Sequence, residues 1–184
     1  MPQNIRIKMK NFIFAILALL IIGAGVLYAL NGSSNYDKRK YSLKIAPKGS
    51  NFSVDSTIDF TLPDQFDKTN KLEATTERLI FVFTKDTGHI IKTFMADKKD
   101  SYLSDKKAVI VADISAMPVI IQNTFALPDL RQSNYKMMLI YDKSMAKRLK
   151  KGQDAKKVIV MTLKDKKVID IQAAASSEEL EKLL

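Results

Sequence analysis

The sequence has no cysteine. That excludes disulfides, thiol catalysis, thiolate metal sites, iron–sulfur clusters and lipid attachment through a cysteine. It also removes the usual evidence about compartment. Tryptophan is absent too, and His89 is the single histidine. Arginine clusters interleaved with aromatics are missing. The net charge of +10 comes mostly from lysines scattered among aspartates, the pattern of a solvated face, so no nucleic-acid partner is expected. Acid is missing from the first 30 residues, which carry Arg6, Lys8 and Lys10. What is present suffices for a core: a hydrophobic fraction of 46% in 184 residues supports one ordinary domain plus an appendage and excludes global disorder.

The appendage is N-terminal. Phe12 to Leu30 is a run of 19 uncharged residues, which as a helix spans about 28 Å, close to a hydrocarbon core of about 30 Å. A cleaved signal peptide has a shorter apolar region, about 7 to 15 residues, and a small-x-small cleavage site. Tyr28-Ala29-Leu30-Asn31-Gly32 offers a poor one. The run therefore reads as an uncleaved transmembrane signal anchor. Basic residues flank it on both sides, with Lys38, Arg39, Lys40 and Lys44 following. The N-side group lies against the helix and the tail is short, so the N-terminus is placed in the cytoplasm and the large domain outside, periplasmic in a two-membrane bacterium. The expected organisation is a cytoplasmic tail (1–11), an inner-membrane span (12–30), a linker (31–40) opening with Asn31-Gly32-Ser33-Ser34-Asn35, and a domain (41–184).

Within the domain, alternation at Tyr41, Leu43 and Ile45 and again at Ile58, Phe60 and Leu62 predicts two strands, with Pro47 and Gly49 as breakers between them. The organising stretch is Arg78 to Met95. Leu79 to Phe83 is an unbroken apolar run, and apolar residues return at Ile90, Ile91, Phe94 and Met95 with helical spacing. This is a strand feeding a helix, and in such units function sits at the junction. Downstream the pattern predicts strands at Ala108–Ala112, Met137–Tyr141, Val158–Leu163 and Val168–Gln172. It predicts helices at Thr87–Ala96, at Pro118–Leu127 and from Ser177. Asp86 reads as the N-cap of the first of these helices. Pro118 suits a first helical turn, and Asp165 marks a hairpin. Ser176 with Glu179 has capping-box spacing. No internal repeat is visible.

From about Ile58 onward, the Phe60-Thr61-Leu62-Pro63-Asp64-Gln65 lead-in, the LIFVF strand with its turn and helix, and the element order resemble the thioredoxin-like superfamily, especially its redoxin and peroxiredoxin branch. The resemblance implies an α/β fold with a central mixed sheet flanked by helices, preceded here by the transmembrane helix. In active relatives a C-x-x-C pair opens the helix after the first core strand, where the helix dipole stabilises a thiolate. The four residues matching that place are Thr87, Gly88, His89 and Ile90. A threonine hydroxyl cannot replace a thiolate, so thiol oxidoreductase and thiol peroxidase activities are excluded. The family's cis-proline, just before the strand beside the active site, matches Lys136, which cannot readily hold a cis bond.

His89 has no cysteine, second histidine or ordered Ser-His-Asp set to work with, so no catalytic residue is assigned. Met and His are plausible copper(I) ligands, but adjacent Met137 and Met138 point to opposite faces of a strand and cannot share a metal. No metal and no cofactor is expected. Two stretches are candidate contact surfaces: the unusually apolar Met117 to Leu130, and a basic insertion (143–157) containing Lys143, Lys147, Arg148, Lys150 and Lys151. The insertion reads first as a solvated face, with anionic lipid headgroups or an acidic partner as alternatives. The resulting expectation is a membrane-anchored, extracytoplasmic, non-catalytic binding or assembly module for an envelope or membrane protein. The alternative is an enzyme, or a cofactor- or metal-handling protein, with cysteine-independent chemistry near His89.

Overall fold

The computed structural model describes residues 12, 14, 16–26, 36–47 and 52–184. By contacts along the chain it divides into two units, 1–34 with 118–128, and 35–117 with 129–184. In the first unit the described N-terminal residues are helical, with α1 covering 16–26 and Ile16, Leu17, Leu19, Leu20, Ile21 and Ile22 exposed. Among the described residues no helix is long and apolar enough to cross a membrane. The expected span 12–30 is only partly within those residues, and the tail (1–11) with the first linker residues lies outside them. The same unit holds α4 (Val119–Ile121), a π turn (Gln122–Ala126) and the first residues of α5 (Leu127–Arg131). The expected regular helix at Pro118–Leu127 is thus interrupted by a π turn.

The second unit contains one mixed sheet. Its strands are β1 (Ser42–Ala46), β2 (Thr57–Pro63), β3 (Thr69–Lys71), β4 (Arg78–Val82), β5 (Ala108–Asp113), β6 (Met137–Ile140), β7 (Val158–Lys164) and β8 (Lys167–Ala174). The order is β1-β2-β8-β7-β4-β5-β6, with β3 beside β2. Strands β4, β5 and β6 run parallel, and β7 and β8 are antiparallel to their neighbours. Leu79, Ile80 and Phe81 of β4 are fully buried, as an apolar run covered on both faces should be. Met137 and Met138 are both buried in β6, so core filling accounts for the pair. Phe52, Phe60, Phe81, Phe83, Ile159 and Leu149 belong to one continuous core.

Helix α2 (Lys85–Met95) follows β4 and buries Ile91, Phe94 and Met95. A short α3 (Tyr102–Asp105) precedes β5, α6 (Lys143–Lys150) joins β6 to β7, and α7 (Ser177–Leu183) closes the chain with Leu180 fully buried. The hairpin at Asp165 turns through Asp165 and Lys166, both at positive φ (49° and 65°). A two-residue turn that matches strand twist requires that conformation. Ser176 caps α7 as expected, accepting from the Glu179 N–H at 3.3 Å, but the Glu179 carboxylate accepts from the Ala175 N–H at 2.7 Å rather than from Ser176.

Strand β2 reaches both sides of the main sheet. Thr57 pairs with Lys167 of β8, and Asp64, just past its end, bridges Met138 of β6. The Pro63-Asp64-Gln65 lead-in makes that second junction. Gln65, 1% exposed, donates from Nε2 to the Tyr135 carbonyl (2.9 Å) and accepts at Oε1 from the Met137 N–H (3.0 Å). The side chain thus occupies backbone groups at the free edge of β6, which would otherwise invite another strand. Asp64 closes its own turn by accepting from the N–H groups of Phe66 (2.9 Å) and Lys68 (3.0 Å).

Candidate functional site

Parallel register brings the carboxyl ends of β4, β5 and β6 to one side of the sheet: Val82 lies opposite Ala112, and Asp113 opposite Ile140. Because β7 is antiparallel to β4, with Phe81 opposite Ile159, its first residues arrive at the same end. The start of α2, the loop after Asp113, the start of α6 and the start of β7 therefore converge where ligand sites form in open α/β sheets.

The turn into α2 is closed on itself. Thr84, not Asp86, is the N-cap, and the helix begins at Lys85, two residues before the expected start. Thr84 Oγ1 accepts from the Thr87 N–H at 3.2 Å. Thr87 Oγ1 in turn accepts from the N–H groups of Thr84 (3.0 Å) and Phe83 (3.2 Å) and donates to the Thr84 carbonyl (2.9 Å). This is a capping box in which a second threonine plays the part of Glu or Gln. Asp86 lies in the first turn, where a carboxylate suits the helix dipole. Thr87 is 0% exposed, so its hydroxyl, already engaged at donor and acceptor, has no approach from solvent. Gly88 and Ile90 are half-buried, and His89 points to solvent. The four residues thus stay together on the first turns of α2.

Next to this turn lies an ion pair that sequence reasoning missed. The Asp113 side chain is 1% exposed, and its Oδ2 meets the Lys150 ammonium at the end of α6. That ammonium is the only polar contact of Oδ2 among the described residues, while Oδ1 accepts from the Ser115 N–H at 2.9 Å. Lys150 also lies 5.6 Å from the centre of the Phe83 ring, within cation–π range, and Phe83 stacks on Phe81 at 5.8 Å. Helix α6 is therefore fastened across the strand ends through a residue of the basic insertion, with Ala146 and Leu149 buried beneath it. Lys150 is half-buried, while Lys143, Lys147 and Lys151 are exposed.

Lys136 stands elsewhere. It precedes β6, whose neighbour is β5, and it lies toward the amino ends of the parallel strands. The strand that begins beside the end of β4 is β7. The one cis peptide among the described residues is Ala46-Pro47. Lys136 donates instead to Asn70 Oδ1 at 3.2 Å and borders an open groove of about 640 Å³ lined by Asn70, Asp100, Asn134 and Tyr135. That groove sits at the amino ends of β5 and β6, away from the Thr87 turn. Among the described residues no group of His, Asp and Glu could hold a metal ion.

No protein-family model and no curated protein matches the chain. Among solved structures it is similar to peroxidoxin BcpB from Mycobacterium tuberculosis (19% identity, 72% of this chain and 94% of that one, TM-score 0.49). It is also similar to a peroxiredoxin-like protein from Aquifex aeolicus (11%, 77% and 92%, 0.46) and an uncharacterized thioredoxin-like protein from Porphyromonas gingivalis (15%, 67% and 85%, 0.45).

This mixed sheet flanked by helices fits a thioredoxin-like α/β fold, and the chain has no cysteine. What fits is the β4-α2-β5 unit, the antiparallel β7–β8 pair on the other flank of β4, and the closing helix α7. At the carboxyl end of β4 stand the capping box and the Asp113–Lys150 pair.

Proposed function

We propose that this chain is a membrane-anchored, extracytoplasmic thioredoxin-like domain that serves as a non-catalytic binding or assembly module for an envelope or membrane protein. One observation carries the non-catalytic part: Thr87, where a redox relative has its nucleophile, is fully buried and completes the helix cap. The anchor rests on the 19-residue apolar run and its basic N-side flank.

The contact surface of choice is the stretch from Pro118 to Pro128. It contains no charged residue in a chain that is 27% charged, and it exposes Ile121 (40%) and Phe125 (63%) around the π turn. Exposed apolar residues of this size, grouped together, suit a protein partner, and π turns recur at functional sites. The test is recovery of bound chains from detergent-solubilised membranes. Wild type and His89→Ala should bring down the same partner, while Ile121→Asp with Phe125→Asp should lose it. Loss with His89→Ala and retention with the double variant would favour chemistry or contact at His89 and overturn this reading.

A further inference from the structure

The segment that enters the domain and the basic helix α6 form one surface. Tyr36 stacks between Tyr41 (5.2 Å) and Tyr141 (5.4 Å), and its hydroxyl reaches Met145 Sδ of α6 at 4.0 Å. Arg148 of α6 donates to the Leu43 carbonyl of β1 at 3.1 Å, and Lys38 lies 3.8 Å from the Asp142 carboxylate that caps α6. These contacts hold the segment from Tyr36 to Leu43 against α6, so the cations of residues 38–40 lie on the same side as those of that helix.

The arginines there are engaged. Arg39 pairs with Asp37 at 3.0 Å and Arg148 is tied to Leu43. The exposed cations left over on α6 and just after it are Lys143, Lys147 and Lys151, none in an ion pair among the described residues, and Lys40 lies near the Asp37 carboxylate. Lys143 and Lys147 are one helical turn apart and stand in a single row. In sequence this surface begins right after Asn31-Gly32-Ser33-Ser34-Asn35, the short polar link to the apolar run.

We infer that this lysine surface docks onto the anionic phospholipid headgroups of the bilayer in which the N-terminal run is anchored. The inference rests on the anchored reading above. Lysines are strongly hydrated point charges without the fixed fork that recognises a particular carboxylate or phosphate. A row of them suits a laterally mobile layer of phosphates better than a shaped acidic protein site, and each lysine near such a surface contributes about a fivefold factor in binding. Docking would fix how the domain stands on the membrane, and with it which face is open to a partner.

The test uses the full chain in nanodiscs of phosphatidylcholine alone or mixed with phosphatidylglycerol. The sequence has no cysteine, so Lys151→Cys carries a unique fluorophore, read by energy transfer to a headgroup-labelled lipid. Strong transfer is expected in the anionic discs, falling in the neutral ones and at raised salt. Lys143→Glu with Lys147→Glu should weaken docking by at least about 25-fold, at a fivefold factor for each lost cation. Lys143→Gln with Lys147→Gln should weaken it in the same direction, and unchanged circular dichroism shows that the variants are folded. Equal transfer in both discs, or no response to charge reversal, overturns the inference while leaving the anchor intact. Binding to a polyglutamate peptide without docking on anionic discs assigns the surface to an acidic protein and also overturns it. A chain that enters neither disc removes the anchored reading and this one together.

Discussion

Removing Lys150 should cost far more than its place in a run of lysines suggests. Lys150→Met keeps most of the stem volume but strips the ammonium from Asp113, whose side chain is 1% exposed and whose Oδ2 has no other polar contact among the described residues. Breaking a buried pair from one side costs about 3–5 kcal/mol when both charges are fully enclosed. The Lys150 side chain is 33% exposed, so solvent screens part of the interaction, and about 2–3 kcal/mol is the expected loss. The lost contact with Phe83 adds about 0.5 kcal/mol. Asp113→Asn is milder, about 1 kcal/mol, because Lys150 can turn to water and the amide oxygen still accepts from Ser115. The double variant, with no buried charge left alone, should regain most of the loss from Lys150→Met. Urea unfolding of the full chain in detergent, followed by circular dichroism, measures all three. A loss below about 0.5 kcal/mol for Lys150→Met, the size of an ordinary surface change, or a double variant no more stable than that single one, would refute the reasoning.

Gln65→Leu leaves the Met137 N–H and the Tyr135 carbonyl without their partner. It should cost about 2–4 kcal/mol in the same unfolding assay and, by freeing the edge of β6, promote self-association visible by light scattering. Gly88→Ala should stabilise by about 0.5–1 kcal/mol, because Gly88 is helical and a Cβ there meets nothing nearer than Val82 at 3.9 Å. A loss of stability would show that Gly88 is needed for something other than the helix. Burial, with the Asp142 carboxylate nearby, pushes Tyr36 up to about 12. Burial, with Asp67 nearby, does the same to Tyr141. Both lie above the unfolded value of about 10, so the folded state favours the neutral phenols. Their contribution is complete below about pH 10 and is lost as pH rises toward 12. Absorbance titration should show these tyrosines ionising late, with unfolding over the same interval. Normal titration of all the tyrosines would contradict this.

The strands and the main helix are legible in the sequence because their signals are local. The run at Leu79 to Phe83 can only be a covered strand, the alternation on either side of Asp165 can only be a hairpin, and Ser176 sits where a cap must be. The features that decide function are not local. Thr84 and Asp86 are both good caps by type, and the choice between them is made by the reciprocal bond from Thr87, whose matching residue is usually Glu or Gln. Lys150 looks like its neighbours until β5 brings Asp113 beneath it. Lys136 precedes a strand, but which strand flanks β4 is a matter of sheet order, and that strand is β7 rather than β6. The Gln65 side chain sits inside a recognised motif, but its partners are distant in sequence and its task is invisible without them.

The central claim is that the turn from β4 into α2 is a closed structural cap and not a reactive site. The most direct measurement places thiols there, with Thr87→Cys and Ile90→Cys introduced into the full chain. The variant is assayed for reduction of insulin disulfides and for native-state labelling of the new thiol at position 87 by a thiol reagent. With that position fully buried beneath the α2 cap, the expected result is no turnover and labelling there only on unfolding. Rapid labelling of the folded protein at position 87 together with insulin reduction would contradict the claim and show that the site is open and poised.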